Sequence, residues 1–115
     1  MTRVLVIEQD SPTTHALGLA CLQRGIGVAF ADNVCEGVRV MLEAMVDLVL
    51  VDGATLRLAP RELASLFERV APGVPVVVAV RPDAPLDARV ALELAGFRVL
   101  TKPVSVDELV EKAGV

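Results

Sequence analysis

Three charged side chains that follow apolar runs of the sequence are candidates for one chemical site. Asp52 comes directly after Leu48–Val51, and Glu8 directly after Val4–Ile7; Lys102 stands near the end of a further β-rich segment. Carboxylate oxygens are ligands for hard divalent cations, and a lysine supplies a positive point charge. The alternative is that these residues are simply polar, because loops after strands usually are, and that Asp52 only starts a turn.

The elements that must position these side chains alternate between strands and helices. Two runs, Leu48–Val51 and Val74–Val80, are almost continuously apolar, which is typical of strands buried on both faces of a parallel sheet. Ser11-Pro12 and the capping-box spacings at 33–36 and 105–108 indicate helix starts. We predict strands at 2–7, 27–31, 46–52, 74–80 and 97–100, and helices at 11–24, 33–44, 60–70, 85–95 and 105–113.

This alternation predicts an α/β fold in which a five-stranded parallel sheet has helices on both faces. The carboxyl ends of parallel strands meet at one edge, where open α/β sheets bind their ligands. That edge would collect Glu8, Gln9, Asp52, Arg81 and Lys102 from distant parts of the chain.

Composition narrows the class of protein. The chain has 115 residues, which suits one domain, and its mean hydropathy of +0.60 requires a large packed core. No apolar run approaches the roughly 18 residues of a membrane span. A net charge of −4 without a basic stripe argues against nucleic acid as a partner. The apolar run after Arg3 is too short for a signal peptide, so we expect a cytoplasmic domain.

Two cysteines and one histidine, His15, make no zinc pattern. Cys21 and Cys35 fall on apolar faces of predicted helices, and we expect both to be small buried side chains. In the second helix the residues predicted to face inwards are Val34, Val38, Met41 and Leu42.

Several segments together resemble the receiver domain of bacterial two-component response regulators. They are, in chain order, Val4–Asp10, Asp47–Asp52, Pro75–Val78, Ala95-Gly96 and Leu100–Pro103, and the resemblance extends over residues 3 to 113. The last segment, with its cis-prone Lys102-Pro103 bond, is the most specific. The resemblance implies a three-layer, flavodoxin-like (βα)₅ fold with strand order 2-1-3-4-5. Residues 1–115 would then form a single receiver-like domain without an effector domain.

The resemblance also implies roles. Asp52 matches the aspartate that a histidine kinase phosphorylates, and Lys102 matches the lysine that contacts the phosphoryl group. Glu8 and Asp52 would be the metal ligands, for Mg²⁺, which neutralises charge during phosphoryl transfer. Such a domain signals in a phosphorelay and is not an enzyme. The face made by the fourth helix, fifth strand and fifth helix is suggested for a protein partner or a homodimer.

The chain departs from the family pattern at four places, one of which is Thr55-Leu56, where the family usually has Met-Pro. Gln9 stands where the family has a second acid, which should weaken Mg²⁺ binding. Val80 replaces the switch threonine or serine and cannot donate a hydrogen bond. Val99 replaces the switch aromatic residue. The resemblance is therefore to an atypical, degenerate member of the family.

Arg81 follows Val80 at the same edge and is not part of the family pattern. One interpretation is that its guanidinium reaches Asp52 and Glu8 and partly replaces the charge of the metal. The other is that Arg81 is an ordinary solvated loop residue.

Two functions therefore remain. The first is a phosphoaccepting receiver, and the second is a pseudo-receiver that acts as an interaction module without phosphorylation. A flavin domain is disfavoured, because the loop after the first strand lacks glycine and the chain lacks Trp and Tyr. Nucleotide sites are disfavoured because neither glycine-rich phosphate motif is present.

Overall fold

The computed structural model describes residues 2–113 and confirms the alternation of strands and helices. In chain order the elements are β1 Arg3–Ile7, α1 Ser11–Gln23, β2 Gly27–Ala31, α2 Val34–Glu43, β3 Leu48–Asp52, α3 Pro60–Val70, β4 Val76–Val80, α4 Leu86–Leu94, β5 Arg98–Thr101 and α5 Val106–Ala113. A short 3₁₀ turn, Gly53–Thr55, follows β3. Among residues 2–113, no helix is long and apolar enough to cross a membrane.

All neighbouring strands are parallel, in the order β2-β1-β3-β4-β5. This confirms the predicted three-layer, flavodoxin-like fold with strand order 2-1-3-4-5. The register pairs Ile7 with Val51, Asp52 with Ala79 and Val80 with Thr101. The carboxyl ends of β1, β3, β4 and β5 therefore lie along one edge of the sheet.

The sheet separates two apolar layers. On one face, side chains of β1, β3 and β4 pack against α2, α3 and α4, with Leu63 and Phe67 among the buried contacts. On the other face, alternate residues of the same strands pack against α1 and α5, through Leu17, Cys21 and Leu109. The continuously apolar strands predicted from the sequence are thus explained by burial on both faces.

Side-chain caps fix where the helices begin. The Asp10 carboxylate accepts a hydrogen bond from the Thr13 amide at 3.1 Å and so caps α1. Asn33 caps α2 in the same way at 3.0 Å, and Ser105 Oγ accepts from the Glu108 amide at 3.1 Å. These contacts satisfy amide groups that have no partner within the helix.

The capping box predicted at 105–108 is confirmed, because Glu108 Oε1 also accepts from the Ser105 amide at 3.3 Å. At 33–36 the Asn33 cap is present, but Glu36 accepts from the Asp32 amide at 3.0 Å instead of the Asn33 amide, so that box is incomplete.

Some details of the prediction were wrong. Strand β4 begins at Val76, two residues later than expected, and the side chains of Leu42 and Cys35 in α2 are exposed. Each residue turns a helix by about 100°. Cys35 and Leu42 therefore point away from the stripe formed by the inward-facing Val34, Val38 and Met41. Cys21 is buried, as expected.

Gly37 in α2 lies so close to β1 that a larger side chain at this position should destabilise the protein. A Cβ atom at this position would lie 2.5 Å from Cδ1 of the buried Ile7. We expect Gly37→Ala to lower the free energy of unfolding by about 1–3 kcal/mol, because the core becomes overpacked. The measurement is urea unfolding followed by circular dichroism.

The matched control removes the clashing methyl group. Ile7→Val alone should cost about 0.5–1.5 kcal/mol. Combined with Gly37→Ala it should cost clearly less than the sum of the two single variants. Strict additivity would contradict a direct contact between these two residues.

Candidate functional site

Asp52 is the last residue of β3, and its side chain is almost fully buried, with 9% of the residue exposed. Its Oδ1 atom accepts a hydrogen bond from the Ala54 amide at 3.2 Å and another from Lys102 Nζ at 2.5 Å. The first contact caps the 3₁₀ turn, as the simpler interpretation of the sequence had it. The second contact joins Asp52 to a residue fifty positions away. The carboxylate therefore caps the turn and also takes part in a long-range ion pair.

The backbone directly after Asp52 packs closely against β4. A Cβ atom on Gly53 would lie 3.1 Å from the carbonyl oxygen of Ala79 and 3.3 Å from Cγ1 of Val80. Only glycine lets the backbone approach β4 this closely without displacing it. The Asp52-Gly53 pair is therefore required by the packing at this edge.

Lys102 lies between the two buried carboxylates. Its Nζ atom is 2.5 Å from Asp52 Oδ1 and 3.9 Å from Glu8 Oε2. Its amide donates to the carbonyl oxygen of Val80 at 2.8 Å, which ties the end of β5 to the end of β4. The Lys102-Pro103 bond is cis, as the sequence suggested. Glu8, Asp52 and Lys102, predicted to meet at one edge, are brought together.

Glu8 is held in an unusual electrostatic environment. Only 8% of the residue is exposed, and burial, together with the neighbouring Asp52 carboxylate, raises the pKa of Glu8 to about 7. The ammonium group of Lys102 opposes this shift but does not outweigh it. Two carboxylates and one lysine give the site a charge of −1 when both acids are ionised. The site therefore attracts a cation or a proton.

The other predicted site residues lie elsewhere. Arg81 does not reach the carboxylates, because its guanidinium pairs with Asp83 at 3.2 Å and its side chain is 73% exposed. Gln9 is exposed. Val80 and Val99 are buried in the apolar layer shared with α2, α3 and α4, where they pack as ordinary core residues.

The donor set fits Mg²⁺ through Glu8 and Asp52. Mg²⁺ is usually bound through one or two carboxylates and keeps several waters. Two nearly buried carboxylates at the carboxyl ends of the adjacent strands β1 and β3 match this requirement. Within the described residues no group of three or more acidic, histidine or cysteine side chains is assembled, so the protein's own ligands are few.

Two arginines, which no sequence motif singles out, link the secondary-structure elements around the site. Arg89 of α4 donates to Thr101 Oγ1 at 2.9 Å and to the carbonyl oxygen of Arg81 at 3.2 Å. It therefore links α4 to the ends of both β4 and β5. Arg24, just after α1, forms a bidentate ion pair with Asp107 of α5. Neither partnership has a local sequence signal, since the partners are 8 to 83 residues apart.

The raised pKa of Glu8 predicts a dependence of stability on pH. The folded state holds the Glu8 proton more tightly than the unfolded chain does. The free energy of unfolding should therefore fall as pH rises from about 4.5 to about 7, by roughly 1–3 kcal/mol. Urea titrations at several pH values in EDTA would measure this slope.

Glu8→Gln should remove this pH-dependent loss, since the amide does not titrate. The exposed residue Glu93 provides the matched control, and Glu93→Gln should keep the wild-type slope. A slope that is the same in the Glu8→Gln variant and the wild type would contradict the assignment.

Comparison with known proteins agrees with this geometry. Residues 4–114 match the family model of the response regulator receiver domain. The transcriptional regulatory protein GlrR of Escherichia coli K12 is 32% identical over 106 residues, which cover 92% of this chain and 24% of that protein. The chain thus spans about a quarter of the length of this relative.

Solved structures share the fold. A CheY-like receiver domain from Methanospirillum hungatei has a TM-score of 0.81 at 23% identity and covers 97% of this chain and 90% of its own. The beryllofluoride-activated NtrC4 receiver domain dimer has a TM-score of 0.83 at 20% identity, and the alignment covers 99% of this chain and 94% of the NtrC4 chain. A Burkholderia pseudomallei response regulator with a phosphorylated aspartic acid and a calcium ion has a TM-score of 0.84 at 19% identity. That alignment covers 98% of this chain and 66% of the other protein's chain. The family match over almost the whole sequence and the Glu8, Asp52 and Lys102 cluster lead to one conclusion: the chain belongs to the response regulator receiver domain family.

Proposed function

We propose that Asp52 accepts a phosphoryl group from the phosphohistidine of a histidine kinase, and that the domain then signals to a protein partner in the cytoplasm. The observation that carries the proposal is the 2.5 Å contact between Lys102 Nζ and Asp52 Oδ1 at the edge of the sheet. A lysine held there balances the negative charge of the carboxylate. It also stands ready to contact the incoming phosphoryl oxygens.

The contacts of Asp52 support different roles for its two oxygens. Oδ1 accepts from both Lys102 and Ala54, which leaves Oδ2 as the nucleophile. Its lone pair forms the new P–O bond while the P–N bond to the imidazole breaks, and the imidazole leaves with that electron pair. The Lys102 ammonium compensates for negative charge on the transferred group.

Glu8 and Asp52 would hold Mg²⁺, which supplies positive charge to the phosphoryl oxygens when it is bound. The exposed Gln9 contributes no charge, so we infer a weaker affinity for the metal than a site with a third carboxylate would have. The proton held by Glu8 near neutral pH would compete with the metal.

The route from phosphorylation to a partner is atypical in this proposal. Val80 has no hydroxyl group for the phosphoryl oxygens, and Val99 is fixed in the core without a ring that could rotate. The proposed contact face is formed by α4, β5 and α5. Three apolar residues of α4 at helical spacing, Leu86, Val90 and Leu94, are exposed there by 76%, 44% and 84%.

The pseudo-receiver alternative is supported by Val80 and Val99 but not by the site itself. A module that never accepts phosphate has no need for a buried aspartate beside a buried glutamate, because burying like charges is costly. The cluster of Asp52, Glu8 and Lys102 therefore favours the phosphoaccepting function.

Phosphorylation can be tested directly by incubating the protein with acetyl phosphate and Mg²⁺ and measuring its intact mass. We expect one added phosphoryl group in the wild type and none in Asp52→Asn. Lys102→Met should slow the modification by roughly 10- to 1000-fold, because it removes charge stabilisation. A wild type that stays unmodified, and gives no NMR response to beryllofluoride, would support the pseudo-receiver instead.

The proposed contact face predicts self-association. If the protein forms a dimer in sedimentation experiments, Leu94→Glu should weaken that dimer by at least about tenfold, because a charge replaces an exposed apolar contact. Leu42→Glu is the matched control, since Leu42 is comparably exposed on α2. Equal effects of the two substitutions would argue against the α4 face.

A further inference from the structure

A groove between α1 and α5 opens at the candidate site. It is open to solvent, has a volume of about 760 Å³ and reaches down to the sheet. Its walls include Ala16, Leu17 and Ala20 of α1, its floor Leu50 and Ala79, and its far wall Val106. We call this space the α1–α5 groove.

The two ends of the groove differ chemically. At one end lie the carboxylates of Glu8 and Asp52 and the ammonium group of Lys102. At the other end, the ion pair between Arg24 and Asp107 bridges α1 and α5. Pro12 and Arg24 both line the groove, and a rise of 1.5 Å per helical residue separates them by about 18 Å. The groove is therefore long, apolar along its walls, and polar at its ends.

Small side chains create this space. Ala16 and Ala20 follow each other by four residues on one face of α1, and Ala79 lies on the floor beneath them. Apolar walls with a few convergent polar groups are the usual composition of small-molecule sites, and the volume is in the usual range of about 300–1,000 Å³.

We propose that Asp52 also accepts phosphoryl groups from acyl phosphates that carry an extended apolar acyl chain. This inference rests on the proposed phosphoacceptor role of Asp52. The phosphoryl group would lie against Asp52 and Lys102, and the acyl chain would lie along the α1–α5 groove between Ala16 and Ala20 on one side and Val106 on the other. The groove thus selects the donor by the length of its chain.

The acyl phosphate supplies both the phosphoryl group and the leaving group of this reaction. A carboxylate oxygen of Asp52 attacks phosphorus and forms the P–O bond of an aspartyl phosphate. The bond between phosphorus and the acyl oxygen breaks, and its electron pair leaves with a fatty carboxylate anion. No oxidant, reductant or further co-reactant is consumed. Lys102 contacts the transferred oxygens, as it would with a phosphohistidine donor.

The length of the donor's acyl chain should control the rate of Asp52 modification, because a longer chain buries more apolar surface in the groove. Each methylene group that leaves water strengthens binding by about fourfold. Hexanoyl phosphate carries four more methylene groups than acetyl phosphate. We expect its kcat/KM for modification of Asp52, measured by intact mass in the presence of Mg²⁺, to exceed that of acetyl phosphate by at least about tenfold.

Two variants test whether the groove is responsible. Ala20→Leu and Ala16→Leu each fill the groove, and each should bring the ratio of the hexanoyl to the acetyl rate down to about one. Ala88→Leu is the matched control, because Ala88 is exposed on α4 and does not line the groove; it should keep the wild-type ratio. Equal rates with both donors in the wild type would overturn the inference, as would a ratio that the groove variants leave unchanged.

A binding measurement without chemistry separates this inference from the phosphoacceptor role. Hexylphosphonate cannot transfer its phosphorus, and in ¹⁵N NMR spectra it should shift the amide signals of Ala16, Ala20 and Val106. Modification by acetyl phosphate without these shifts would overturn the groove inference and leave the phosphoacceptor role intact. If neither donor modifies Asp52, the acyl phosphate inference fails. If beryllofluoride also leaves the NMR spectrum unchanged, the phosphoacceptor role fails with it.

Discussion

The ammonium group of Lys102 is the contact on which the site depends. Asp52 and Glu8 are both less than one-tenth exposed, and two like charges so close would repel each other strongly without a neutralising partner. The lysine reaches Asp52 at 2.5 Å and Glu8 at 3.9 Å, and it is held by its own amide, which bonds to Val80. A single positive charge balances one carboxylate fully. Burial, together with the neighbouring Asp52 carboxylate, raises the pKa of Glu8, and the remaining negative charge accounts for the fit for a cation.

That contact depends in turn on the parallel sheet. The strand order places β3 between β1 and β4, and the register aligns the ends of β1, β3, β4 and β5. Gly53 lets the chain after Asp52 lie against β4, and the contacts with Lys102 and Ala54 hold the Asp52 carboxylate at this edge. An exchange of strand order would separate Glu8 and Lys102 from Asp52, although every strand would keep its local sequence.

The two faces of the sheet have different roles in this protein. On the face covered by α2, α3 and α4, Val80 and Val99 complete a dense apolar layer, and Arg89 ties α4 to the ends of β4 and β5. On the other face, small residues of α1 leave a groove that opens at Asp52. The family's switch positions are therefore filled by buried valines, whereas the groove that opens at Asp52 lies on the opposite face of the sheet.

The sequence by itself determined the alternation of elements, the buried strands and the helix caps, because hydrophobic period and capping spacing are local properties. It also identified Asp52, Glu8 and Lys102, since parallel strands align their carboxyl ends. Only the tertiary structure decided that Arg81 pairs with Asp83, that Arg24 meets Asp107, and that a groove separates α1 from α5. These features depend on the direction of long side chains and on how closely helices pack, and neither is encoded in the pattern of a single segment.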